Sequence, residues 1–255
     1  MDWIAIVSGF GVGAVVGLTG VGGGSLMTPL LLSVFRLSPA VAVGTDMWFA
    51  AVTKTAGSAS HHRAGHVQWR IAALLLAGSI PASLATMALM NCTGVTKGWA
   101  ATLTSSLGIA LLLTAVAVVY KQAWQAVGLR LERWITEGRR QLLTLLCGLI
   151  LGVLVSLSSI GAGAIGATLI LLLYPRLASH QIAGTDIAHA VPLTLVAGIG
   201  HATLGHVSWG LLGSLLVGSI PGIWLGAQLT RSLPEPLMRA LLCVALVSAG
   251  LKVIF

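Results

Sequence analysis

Gly44-Thr45-Asp46, His61, Gly65-His66-Val67, Trp69 and Gly78-Ser79-Ile80-Pro81 form a series that the chain carries twice. It returns 140 positions later as Gly184-Thr185-Asp186, His201, Gly205-His206-Val207, Trp209 and Gly218-Ser219-Ile220-Pro221. Arg36-Leu37 likewise returns as Arg176-Leu177, and no gap is needed from Phe35 to Ser83, so chance is a poor explanation. Around the repeat the chain is almost wholly apolar. A duplicated, apolar, glycine-rich chain with one Asp in each copy has the pattern of a membrane transporter.

Composition bounds the class. Apolar residues make up 56% and charged residues 8% of the chain, and the mean hydropathy is +0.98. A soluble domain of 26.1 kDa would have to show much of that surface to water. The net charge of +8 sits at the ends of apolar runs, as topology signals do, and not in a stripe that would track nucleic acid. The chain opens Met1-Asp2-Trp3-Ile4, with an acid where a signal peptide carries Lys or Arg, so the first run reads as retained structure. Cys92, Cys147 and Cys243 share no motif spacing and read as small apolar packing residues.

Apolar runs fall at 3–18, 20–35, 40–60, 71–91 and 99–120, then at 141–158, 161–174, 181–203, 209–230 and 237–255. A helix needs roughly 20 apolar residues to cross the hydrocarbon layer. The first two runs of each half are short and joined by glycine, which fits either two tight spans or a re-entrant hairpin. Either way each half crosses an odd number of times, so the second copy is upside down. The fold expected is all-α and polytopic, with two inverted-topology repeats of about five apolar segments each, roughly eight to ten helices in all. The division expected is 1–120, a basic linker at 121–140, and 141–255. The linker reads as the longest polar loop and holds Lys121, Arg130, Arg133, Arg139 and Arg140, which places it in the cytoplasm. Arg63 and Arg70 then fall inside as well, whereas the repeat-equivalent loop 204–208 carries no Lys or Arg. Arg36 and Lys97 fall outside and weaken this bias without reversing it.

Six acids occur, and only Asp46 and Asp186 lie inside apolar runs. A buried carboxylate costs a few kcal/mol, so it needs a partner or a role. Each could take coupling protons or support a broken helix, together with the adjoining Thr45 and Thr185. Lys54, eight positions after Asp46 and near the same helical face, either neutralises a carboxylate or offers a fixed cation to an anion. Its repeat partner is Thr194, and His189 replaces Phe49; a membrane-embedded His suits proton transfer or a carbonyl bond. Gly22, Gly23, Gly24 and Ser25 in one copy, and Gly161 and Gly163 in the other, could break a helix and turn free amides toward an anion. Tight small-residue packing would use the same residues. His61, His62, His66, His201 and His206 fall at opposite membrane faces, so no metal site is expected. Trp69 and Trp209 read as interfacial anchors.

With Gly22-Gly23-Gly24-Ser25-Leu26-Met27-Thr28-Pro29-Leu30-Leu31, then Gly44-Thr45-Asp46, then His61, Gly65 and Trp69, the chain resembles the TauE/SafE sulfite-exporter family over essentially its whole length. The resemblance implies a multi-pass permease of the cell membrane, the inner membrane in bacteria, built from two related halves and carrying small sulfur-containing anions by secondary transport. The second copy departs from the motif, reading Gly163-Ala164-Ile165-Gly166-Ala167-Thr168 with neither glycine triplet nor proline. The partners expected are a small anion and lipid, with no nucleic acid and no cofactor. A cation or proton-coupled carrier of another solute is the alternative; Lys54 opposes its charge balance. An intramembrane enzyme would need a nucleophile paired with a base, and Ser25 has no His in its segment.

The odd parity and the loop charges make one outcome testable. In a chain free of its native cysteines, single cysteines at Ser208 and Gln125 are expected to react with an impermeant thiol reagent from opposite sides of the membrane. Labelling of both from one side would refute the inversion.

Overall fold

The computed structural model describes residues 2–19, 24–93, 97–229, 243–244, 246–248 and 251. The described residues form α-helices and no strand: α1 Trp3–Thr19, α2 Gly24–Ser33, α3 Pro39–Arg63, α4 Trp69–Thr93, α5 Lys97–Val119, α6 Lys121–Leu131, α7 Glu137–Ser158, α8 Ala164–Leu173, α9 Ser179–Thr203 and α10 Trp209–Leu229. Five of these, α4, α5, α7, α9 and α10, contain stretches long and apolar enough to cross a membrane. The protein is thus an all-α, multi-pass membrane protein. Most of the last apolar run, 237–255, lies outside the described residues.

Helix α3 matches α9 in length, 25 residues each, but Asp46, Lys54 and the His61-His62-Arg63 end make it less apolar. Asp46 and Lys54 lie where the helix runs through the interior, with Ala40, Val43, Met47, Phe49 and Ala50 also buried, whereas His62 and Arg63 at its end are exposed. Helix α9 is its counterpart and crosses it antiparallel. The Thr45 hydroxyl near the start of α3 accepts the Ser208 amide just beyond α9 at 3.0 Å. The Thr185 hydroxyl near the start of α9 accepts the Gln68 amide just beyond α3 at 2.9 Å. Each threonine thereby holds the start of the next long helix, α10 or α4.

The outer helices pair by close backbone approach. A Cβ on Gly9 or Gly13 would strike the carbonyls of Leu215 and Ser219, and one on Gly218 or Gly222 those of Ile6 and Phe10. This registers α1 parallel to α10. In the same way Gly78 lies against Leu145 and Leu149, and Gly148 and Gly152 against Leu75 and Ser79, registering α4 parallel to α7. Without water to expel, helices in lipid associate through such tight van der Waals contact.

Helices α2 and α8 have 10 residues each, about 15 Å, half the hydrocarbon thickness. Neither is long enough to cross that layer alone. Helix α8 returns toward the side from which α7 starts: the Tyr174 and Thr144 hydroxyls are bonded at 2.9 Å, and Arg176 Nε donates to Glu132 at 2.9 Å. The starts of α1 and α3 likewise both lie by the start of α10, through Asp2 on Ser214 and Thr45 on Ser208.

The polar stretch 121–140 is not simply a loop, because Lys121–Leu131 is helical. Trp124, Gly128 and Leu131 recur at helical spacing. Trp124 packs with the cluster of Ile71, Leu75, Leu151, Ile170 and Leu171, and Gly128 lies against the Leu171 and Leu172 carbonyls. Trp69 and Trp209 open α4 and α10 and are about half exposed, as interfacial residues are. Cys147 joins the partly buried edge of that apolar cluster, whereas Cys92 is exposed.

Gly9 and Gly11 stand two residues apart on α1, one against backbone and one with nothing near it. Gly9→Ala is expected to cost about 1–3 kcal/mol through forced separation of α1 and α10. Gly11→Ala is expected to be neutral or to stabilise by up to about 1 kcal/mol. Thermal unfolding of the two variants in the same detergent measures the difference.

Candidate functional site

The two interior acids stand at equivalent places, eighth in α3 and eighth in α9. Both are buried, Asp46 wholly and Asp186 to 3% exposure, yet their surroundings differ. Thr28, on the half-helix α2, donates its hydroxyl to Asp46 Oδ2. The Thr28 amide and the Ser159 hydroxyl also lie close to this carboxylate, although Asp46 Oδ1 and Ser159 Oγ form no full hydrogen bond among the described residues. Asp186 Oδ1 is also buried and unpartnered. It fills the place that a side chain at residue 166 would occupy: a Cβ on Gly166 of α8 would overlap it.

The break between α7 and α8 supplies the backbone of the site. Ser158 turns its hydroxyl to accept the Ile160 amide at 3.1 Å, and Ser159 takes a left-handed conformation with φ 59°. Gly161 and Gly163 follow with φ of 128° and 146°, values that a side chain strongly disfavours. This path delivers the chain to the start of α8 at Ala164 and leaves the Ala162 carbonyl facing α3. Lys54, 6% exposed, reaches across from α3 and donates Nζ to that carbonyl at 2.5 Å. It also acts electrostatically on Asp46 and Asp186. Neither carboxylate pairs with it directly: the ion pairs among the described residues are Arg140 with Glu132 and Glu137, and Arg176 with Glu132. Lys54 therefore holds one carbonyl and has donors to spare, because an ammonium carries three.

His189 lies one turn after Asp186 on the same helix and is fully buried. Its Nε2 meets the Ser79 hydroxyl at 2.9 Å, while its Nδ1 has no partner among the described residues. The equivalent place in α3 is Phe49, which packs with Met27, Leu31 and Ala42. Thr194, the counterpart of Lys54, turns its hydroxyl back to the Ala190 carbonyl. The two halves thus share a carboxylate and differ in everything charged beside it.

Of the residues singled out from the sequence, the structure gathers Asp46, Lys54, Asp186, His189, Gly161 and Gly163 around the α7–α8 break. Thr45 and Thr185 lie farther along, at the helix starts described above. Gly24 and Ser25 open α2, and Gly22 and Gly23 lie outside the described residues. Thr28 and Ser79 belong to the site without having been singled out as candidates. Their signal was a buried hydroxyl within a motif: Thr28 in the Thr-Pro-Leu-Leu run, Ser79 in the repeated Gly-Ser-Ile-Pro.

The histidines form two separate groups. His61 faces His66 at 3.4 Å between their Nδ1 atoms, and the His66 ring lies 4.4 Å from that of His180. His201 faces His206 at 3.3 Å and bonds the Ser156 carbonyl through Nε2 at 2.9 Å. Burial in the loop after α9 pushes the His206 imidazole below the ordinary histidine value. Among the described residues no group of three or more His, Cys, Asp or Glu is placed to hold a metal ion.

A family model described as Sulfite exporter TauE/SafE matches residues 5–253. A Bacillus subtilis (strain 168) protein named "Probable membrane transporter protein YjnA" is 41% identical over 253 residues, covering 98% of this chain and 98% of its own. A second from the same organism, "Probable membrane transporter protein YdhB", is 28% identical over 256 residues, 96% of this chain and 97% of its own. A Xylella fastidiosa (strain Temecula1 / ATCC 700964) protein, "Probable membrane transporter protein", is 28% identical over 232 residues, 90% of this chain and 85% of its own. No solved structure matches the chain.

The fit of Asp186 against Gly166 can be tested by a double-mutant cycle. Gly166→Ala is expected to destabilise the protein by about 1–3 kcal/mol, because the added carbon meets a buried carboxylate. In an Asp186→Ala background the same change is expected to cost little. Equal costs in both backgrounds, read by thermal unfolding in detergent, would contradict the contact.

Proposed function

The chain belongs to the sulfite exporter TauE/SafE family, and from that premise we propose that it is a secondary transporter for small anions, with sulfite and organosulfonates as the substrate class. Its relatives are named as membrane transporters, and the multi-pass fold supplies the membrane path. The observation that carries the anion reading is Lys54: a buried ammonium, bonded to one carbonyl and paired directly with neither carboxylate. It stands beside Ala162, two residues before the start of α8, where the free amides of a helix N-terminus favour negative charge. Cation and helix end together make a place for a sulfonate or sulfite oxygen that neither would make alone. Gly161 and Gly163 let the backbone approach the ion, and Gly24 and Ser25 at the start of α2 would serve from the other half.

In this reading the second half lies inverted in the membrane, with the 121–140 linker on the cytoplasmic side. The carboxylates serve transport through coupling and not as ligands of the anion. A cation carrier is the rival, favoured by the unpartnered oxygens of Asp46 and Asp186. Lys54 separates the two, because its charge assists an anion and repels a cation.

Counterflow in proteoliposomes against sulfite, thiosulfate, sulfoacetate and simple carboxylates tests the substrate class. Lys54→Gln is expected to weaken the affinity for the transported anion by about 1.5–3 kcal/mol, the worth of a hydrogen bond to a charged group, with insertion and folding kept. If Lys54 only offsets Asp46, the double variant Lys54→Gln with Asp46→Asn would regain both stability and transport. Recovery of stability with anion transport still impaired is the result expected; full recovery of transport would overturn a direct role for Lys54.

A further inference from the structure

We infer that the two interior carboxylates have divided their work: Asp186 is the proton-binding group of the transport site, and Asp46 is a positioning group that holds the half-helix α2. This deepens the anion-transporter reading and rests on it for its role in coupling, although the assignment of the proton to Asp186 stands on geometry that can be tested without any substrate.

The local surroundings carry the division. Asp46 accepts one hydrogen bond, from the Thr28 hydroxyl to Oδ2; its Oδ1, like that of Asp186, has no full hydrogen bond among the described residues, although the Thr28 amide and the Ser159 hydroxyl lie close by. Donors aimed at a carboxylate stabilise its ionised form and fix its orientation. Because Thr28 lies on α2, ionised Asp46 ties that half-helix to α3. Asp186 lacks a counterpart of the Thr28 bond. No hydroxyl or amide donor reaches its carboxylate among the described residues, and Oδ1 lies against the bare Cα of Gly166. A buried carboxylate without donors is costly when ionised and far less so when protonated.

The charged and titratable groups facing Asp186 are few. Helix α3 brings Lys54, whose ammonium is tethered to Ala162, and Asp46. Helix α9 itself brings His189, which is bonded to Ser79 of α4. At this level α7 and α8 bring Ser158, Ser159 and Gly166, none of which ionises in the working range. With Lys54 and Asp46 charged, an ionised Asp186 leaves the cluster at one net negative charge, and a monoanion would make it two. If Asp186 takes up a proton as the anion enters, the net charge of the buried cluster does not change. Anion and proton then move together: the proton comes from the side of entry, resides on Asp186, and leaves with the anion on the other side.

N,N′-dicyclohexylcarbodiimide, an apolar reagent that adds to protonated carboxyl groups, tests the assignment on the full chain in liposomes. One adduct is expected, mapped to Asp186 by peptide mass. Its rate is expected to fall about tenfold per pH unit once the carboxyl ionises. Asp186→Asn should abolish the adduct, and Asp46→Asn should leave it in place. Mapping on the unsubstituted chain decides the matter even if a variant fails to insert. An adduct at Asp46, equal adducts at both, or none at Asp186 would overturn the proposal.

Methanesulfonate, an organosulfonate that stays a monoanion across this range, gives the second measurement. The ratio of its counterflow rates in mildly acidic and mildly alkaline buffer is expected to fall toward one in Asp186→Asn, whatever the residual rate. A pH dependence unchanged in that variant would refute the coupling role. Absence of methanesulfonate counterflow in the unsubstituted chain would count against the anion reading and leave the carbodiimide map to decide the assignment to Asp186.

Discussion

Everything near the centre of this protein depends on how closely α3 and α9 approach the loops at each other's ends. Gly44 lies directly against the His206 carbonyl, and Gly184 lies 3.1 Å, measured from where a Cβ would stand, from the His66 carbonyl. A side chain at either place would push a long helix away from the loop it touches. With both bare, Thr45 and Thr185 reach the amides that start α10 and α4. Asp46 and Asp186 then fall one residue further along, facing the half-helices. The Gly-Thr-Asp triplet is thus a single device: approach, anchor, then acid.

On this near-symmetric frame the chemistry is asymmetric. Where α3 carries Phe49 and Lys54, α9 carries His189 and Thr194. Phe49 closes an apolar cluster, whereas His189 requires Ser79 as a partner. A charged residue in only one half is less costly than one in each, because two buried ammonium groups at this separation would repel in a medium that screens poorly. The duplicated parts position helices, and the parts that differ supply charge.

Much of this was legible in the sequence. The repeat showed itself because Gly, Thr, Asp, His and Trp recur at one fixed offset, and those residues carry backbone and interface constraints. Whether the first two runs of each half span or re-enter was open in the sequence; the Tyr174–Thr144 and Arg176–Glu132 contacts bring the end of α8 back beside α7, which the run length alone did not reveal. Lys54 reads as close to Asp46 by helical spacing, but its long side chain extends to another helix's carbonyl, which spacing within one helix does not reveal. Thr28 and Ser79 were missed for the same reason: a hydroxyl becomes a site residue only through its partner across the fold. Helix α6 was obscured by the charges of its segment, although Trp124 and Gly128, four residues apart, mark the face that packs on the core.

The parallel pairs α1 with α10 and α4 with α7 each join one helix from the first half of the chain to one from the second. Their backbones meet carbonyl to Cα, so neither pair can slide or separate without losing contact along its length. For the two halves to rock past each other as independent blocks, both seams would have to open. The short elements α2 and α8 have no seam of that length: α2 is bonded to α3 through Thr28, and α8 is held at its far end by Gly128 of α6 and by the Tyr174–Thr144 bond. A solute crossing this frame would pass between two long seams and two half-length helices.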